Sequence, residues 1–199
     1  MDTYHLNAAQ DNLTGEYRQV GYVKVGEVAS RLMQIWMLGA IVFLMALLFS
    51  FLARSFGRLP AGFRLGALEI ASGFVVFLGT IILQEWVHVL VLRLYGARPE
   101  FGLFRNKAIA YISLEGYGVR RNTLIVAALV PLILITGLAL LGTWLFQGTP
   151  WVALFALIAV VNVGASISDL WVMAVLLRYP SAAWTVDDGD GMRVLMPME

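Results

Sequence analysis

LGALEIASGFVVFLGTIILQEWVHVLVLRLY, residues 65 to 95, decides the fold class. A helix needs about 20 predominantly apolar residues to cross a hydrocarbon core of about 30 Å, and this run exceeds that length. Three further runs meet the same requirement. They cover about 32–53, about 123–146 with Pro131 inside it, and about 151–177 with Asn162, Ser166, Ser168 and Asp169. The composition agrees. The 199 residues are 60% hydrophobic and 14% charged, where soluble domains have roughly 45–50% apolar and about 25% charged residues. The sequence therefore predicts an all-α polytopic membrane protein of about four transmembrane helices with a small cytoplasmic β-hairpin region. A polar N-terminal cytoplasmic segment (1–31) precedes a four-helix membrane domain (32–177, spans 32–53, 65–95, 123–146 and 151–177), and a cytoplasmic tail (178–199) follows it.

The first apolar run starts late and ends in FLARSFGRL, without the small-residue cleavage site of a signal peptide, so it reads as a retained span. Of the 14 Lys and Arg residues, eleven fall before the first run, between the second and third, or in the tail, and three fall between the first and second. The positive-inside rule then puts both termini and the loop 93–121 in the cytoplasm. Arg105, Lys107, Arg120 and Arg121 suit anionic headgroups of the lipid bilayer. Tyr17, Tyr22, Trp144, Trp151 and Trp184 stand near proposed interfaces. A net charge of +1 gives no support to nucleic-acid binding. Short apolar stretches such as Ala108 to Leu114 predict a hairpin in the 93–121 loop. Asp188 to Gly191 marks a turn between two strands of the tail.

The chain has no cysteine and two histidines, His5 and His88, so thiolate chemistry and cysteine metal sites are excluded. Ionisable groups are costly inside a span, about 2.5–3.5 kcal/mol for Asp near its centre, so Glu69, Glu85, His88 and Asp169 each need a reason. Glu69 reads as interfacial. Gln84-Glu85-Trp86-Val87-His88 differs at one position from H-E-x-x-H, in which two histidines on one helical face bind zinc and the glutamate polarises the attacking water. Gln84 stands at the first histidine position and still shares a face with His88. Counted at 1.5 Å per residue, His88 lies about 8 Å from Arg93 and Asp169 about 14 Å from Arg178, so both fall in the cytoplasmic half of the bilayer.

These features resemble the putative zincin peptidases of small bacterial membrane proteins, which are similar to the site-2 protease class of intramembrane metalloproteases. The resemblance covers roughly residues 66 to 190. It rests on QEWVH, on AIAYISLEGYGVRRNTLIVAALVPLILI, and on VNVGASISDLWVMAVLLRYP trailed by VDDGDG. It implies zinc as cofactor, Gln84, His88 and Asp169 as the three ligand positions, Glu85 as the catalytic base, and a membrane-protein or peptide substrate. The departure falls on a ligand, since glutamine is a neutral donor where catalytic zinc takes three His, carboxylate or thiolate ligands. A remote His5 is the only other imidazole.

Two further readings of the residues stay open beside a metalloprotease scaffold that Gln84 weakens or inactivates. One is a non-catalytic member that binds membrane proteins, its Gln84, Glu85 and His88 hydrogen-bonding across helices. The other is a small proton-coupled carrier component with Glu85, His88 and Asp169 as relay. Asn162, Ser166 and Ser168 read as packing or interhelical bonding residues, and Pro131 as a kink.

Overall fold

The computed structural model describes residues 16–23, 67–105, 108–114, 117–149, 151–187 and 191–198. The run 32–53 and His5 lie outside them. The chain divides into two compact units, one comprising residues 1–28, 85–129 and 168–199, the other residues 29–84 and 130–167. Among the described residues, three helical stretches are long and apolar enough to cross a membrane: Ala71–Leu94, Arg121–Leu145 and Trp151–Leu176. The protein is accordingly an integral membrane protein.

The stretch quoted at the outset forms helix α1, Ala67–Leu94. It stops where Gly96 takes a positive φ of 82°. There the Ala97 N–H donates to the Leu92 carbonyl at 3.0 Å and the Gly96 N–H to the Arg93 carbonyl at 2.9 Å, the paired bonds that close a helix when a residue without Cβ follows it. Helix α2, Arg121–Leu145, runs unbroken through Pro131. The fourth run expected from the sequence is two helices, α3 (Trp151–Ala165) and α4 (Ile167–Leu176). Ser166 separates them. Its hydroxyl donates to the Asn162 carbonyl at 2.8 Å, and such back-bonding by serine bends helices.

The all-α expectation needs amending, because among the described residues six strands accompany the helices. β2 (Glu100–Arg105) and β3 (Ala108–Ser113) form the hairpin expected in the 93–121 loop. β5 (Trp184–Asp187) and β6 (Met192–Pro197) pair across the expected tail turn. Two strands were not expected: β1 (Tyr17–Val23), in the segment read as merely polar, and β4 (Gly118–Arg120). Together they make a four-stranded antiparallel sheet in the order β1-β6-β5-β4. The inward positions of β1 read Tyr17, Gln19, Gly21 and Val23, so its apolar alternation is diluted, and a register shift between Gln19 and Gly21 dilutes it further. Tyr17 packs with Val186 and Leu195, its ring edge-on to Trp184 at 6.5 Å. Val23, Val194 and Ala183 pack with Leu176 at the end of α4. Gly21 sits against Tyr179 so closely that a Cβ would overlap the phenol.

In the other unit, small residues let α2 and α3 approach. Ala139, Ala156, Ala159 and Val160 form a buried cluster. A Cβ at Gly142 would strike the Phe155 ring, which stacks on Phe146 at 5.3 Å. Lipid tails are as apolar as leucine, so close van der Waals packing of this kind, and not hydrophobic burial, holds membrane helices together. Asn162 adds a polar bond at its fully buried position. Its amide donates to the carbonyls of Pro131 at 3.2 Å and Leu132 at 3.4 Å and to Thr136 Oγ1 at 2.9 Å.

Candidate metal-type site

The last three turns of α1 carry Glu85 and His88, and the first turn of α4 carries Asp169. His88 Nε2 lies 3.2 Å from Asp169 Oδ2, with the histidine side chain 10% and the aspartate 28% exposed. The ring also lies near the backbone of Ala127 in α2. Glu85, half-buried and less than one turn before His88, is close enough to interact electrostatically with both His88 and Asp169. Trp86, between the two, turns outward and meets Phe101 of β2 with ring centroids 5.9 Å apart.

Gln84 precedes His88 by four residues on the same helix, and its side chain is buried. Its Nε2 donates to Ser166 Oγ at 3.3 Å. The hydroxyl that receives it belongs to the residue between α3 and α4, so the amide and the helix break are tied together. Ser166 and Asn162 both make the bonding contacts expected of them, while the particular pairing of Ser166 with Gln84 has no signal in the sequence, because a glutamine's partner is set by rotamers that periodicity does not encode.

The donor set can be tested against zinc by elementary geometry. Two ligand atoms about 2.0–2.1 Å from a tetrahedral zinc are about 3.3 Å apart, so the 3.2 Å between His88 Nε2 and Asp169 Oδ2 suits one edge of such a site. The remainder does not suit it. Among the described residues no group of three or more His, Cys, Asp or Glu side chains is placed to hold a metal ion, and catalytic zinc takes three such ligands plus water. At the first ligand position of the motif stands Gln84, a neutral amide engaged with Ser166. Among the described residues the donor set therefore falls one ligand short of a catalytic zinc.

A family profile described as "Putative zincin peptidase" matches residues 77–184. No curated protein and no solved structure gave a match. The matched region begins inside α1, includes Gln84, Glu85, His88, Ala127, Pro131 and Asp169, and ends at the start of β5. With more than half of its length matched, and with the motif helix and the later aspartate in contact, the chain belongs to the putative zincin peptidase family.

Proposed function

We propose that this protein is a zincin-type membrane peptidase scaffold that receives peptide segments of membrane proteins near His88 and Asp169, and that Gln84 has cost it hydrolysis. The observation that carries the reading is the His88–Asp169 contact at 3.2 Å, two ligand positions held together from two helices while the third is an amide bonded to Ser166. In a complete zincin the metal supplies an activated water for attack on the peptide carbonyl. Here His88 and Asp169 keep their mutual placement, and Glu85 keeps the position of a base beside them. What this chain's residues do without a third ligand is bind and orient.

Elemental analysis of the purified protein beside a Gln84→His variant tests this. The expected result is little zinc in the parent and about one zinc per chain in the variant, which then has three ligands of the usual types. Stoichiometric zinc in the parent would overturn the loss of catalysis. Absence from both would overturn the zincin scaffold itself.

The same proposal includes four crossings with both termini in the cytoplasm. Pairing of β1 with β6 keeps the two ends of the chain on one side, which asks for an even number of crossings. Three are described, and the apolar run 32–53 supplies the fourth. The distribution of Lys and Arg, eleven against three, makes the side of the termini cytoplasmic. Because the chain has no cysteine, single Glu16→Cys and Met198→Cys variants report the side directly. Both are expected to react with an impermeant maleimide in inverted vesicles and to be protected in intact cells. Opposite behaviour of the two would sink the topology.

A further inference from the structure

Two consecutive residues of the tail hold two consecutive arginines. The Ala183 carbonyl accepts from the Arg121 backbone N–H at 2.9 Å, and the Trp184 ring lies under the Arg120 guanidinium, whose central carbon is 5.3 Å from the ring centroid. Arg120 ends β4, opposite Trp184 of β5, and Arg121 opens α2. Arg120 is exposed, whereas Arg121 is partly buried. The Arg121 Nε is shielded from solvent and has no hydrogen-bond partner. Among the described residues no carboxylate pairs with this side chain, and the first turn of α2 contains no acid. Arginine cannot shed its proton, so an unpaired charge that is partly buried is costly, and the anion that answers it comes from outside the chain.

Position selects that anion. The 25 residues of α2 measure about 37 Å at 1.5 Å per residue, longer than a hydrocarbon core of about 30 Å and within the roughly 40–45 Å that includes the headgroups. Such a helix reaches the phosphate layer at its ends, and Arg121, its one charged residue, stands at one of them. We infer that Arg120 and Arg121 form a binding site for the phosphodiester of an anionic phospholipid. The terminal nitrogens of Arg121 take two phosphate oxygens, and Arg120, restrained on Trp184, adds a second positive charge. An anionic headgroup brings no cation of its own, whereas choline would set one against this pair. The site involves neither Gln84 nor His88 nor Asp169, so it is independent of the peptidase reading.

The test offers detergent-solubilised full-length protein equal amounts of phosphatidylglycerol and phosphatidylcholine of one chain length, and native mass spectrometry reads which lipid is retained. The parent is expected to prefer phosphatidylglycerol. Arg121→Gln should lower that preference about tenfold, the factor for one hydrogen bond to a charged group, and Arg120→Gln about fivefold, the factor for one arginine near an anionic surface. Arg178→Gln removes the same charge from an exposed arginine just beyond α4 and should leave the preference unchanged. Equal retention of both lipids by the parent overturns the site. So does a loss in Arg178→Gln as large as in Arg121→Gln, because net charge alone then explains the attraction. Inorganic phosphate in large excess should not displace the lipid, and displacement would overturn the lipid in favour of free phosphate. Should Arg121→Gln lose its helical circular dichroism, Arg120→Gln against Arg178→Gln decides, since both of these side chains are exposed.

Discussion

In a Gln84→His background, Asp169→Asn is expected to lower zinc affinity by about 100-fold or more, measured by competition with a chelator of known affinity. Loss of a group that merely orients a ligand costs 10–100-fold, and Asp169 is proposed as a ligand itself. Its Oδ2 stands 3.2 Å from His88 Nε2, the separation of two atoms on one tetrahedral ion. Asn keeps the shape and removes the charge, so packing around α4 should be preserved while the ion loses its only anionic donor from that helix. In the parent chain the same substitution should change zinc content very little, because the donor set is already incomplete. If affinity in the double variant equals that of Gln84→His alone, Asp169 is not a ligand and its contact with His88 serves packing.

The second large effect is structural. Asn162→Leu is expected to destabilise the protein by about 1–3 kcal/mol, given that interhelical hydrogen bonds in membranes average about 0.6 and reach about 1.7 kcal/mol each. The amide has two protons shared among three acceptors on α2: the carbonyls of Pro131 and Leu132 and the hydroxyl of Thr136. These acceptors also settle which way the amide points, since only its nitrogen can donate to two carbonyls. Leucine keeps the branching and leaves no cavity but is the bulkier side chain, so the loss combines the missing bonds with some overpacking at this buried position. Thr136→Val removes one acceptor and should cost about 0.6 kcal/mol. Unfolding in mixed micelles, followed by helical circular dichroism, reads both. A neutral Asn162→Leu would show that the cluster of Ala139, Ala156 and Ala159 holds α2 and α3 without help.

Much of this arrangement was legible from residue order because the bilayer imposes a ruler. Helices near 71–94, 121–145 and 151–176 follow from apolar length alone, and the nearness of His88 and Asp169 follows from counting rise per residue back to the flanking arginines. What escaped was information carried by the backbone. The break at Ser166 arises from a serine hydroxyl bonding within its own helix, which leaves the apolar run intact to the eye. Strand β1 hides because Gln19 and Gly21 occupy inward positions. Pro131 reads as a source of bending, and the part its carbonyl plays, accepting from the buried Asn162 amide, has no side-chain signature.

The sheet has a consequence for how the protein is made. β6 is the neighbour of β1, yet the membrane helices lie between them in the chain, so β1 leaves the ribosome well before β6. Chains are synthesised at about 5–20 residues per second, so β1 waits on the order of ten seconds or more for its partner. During that interval its edge is open, and every helix between must be inserted before the edge can close. A chain stopped short of Met192 would therefore carry its motif helix and its aspartate but leave β1 and β5 unpaired along the edges that β6 covers. Synthesis of β6 is thus the event that closes the sheet.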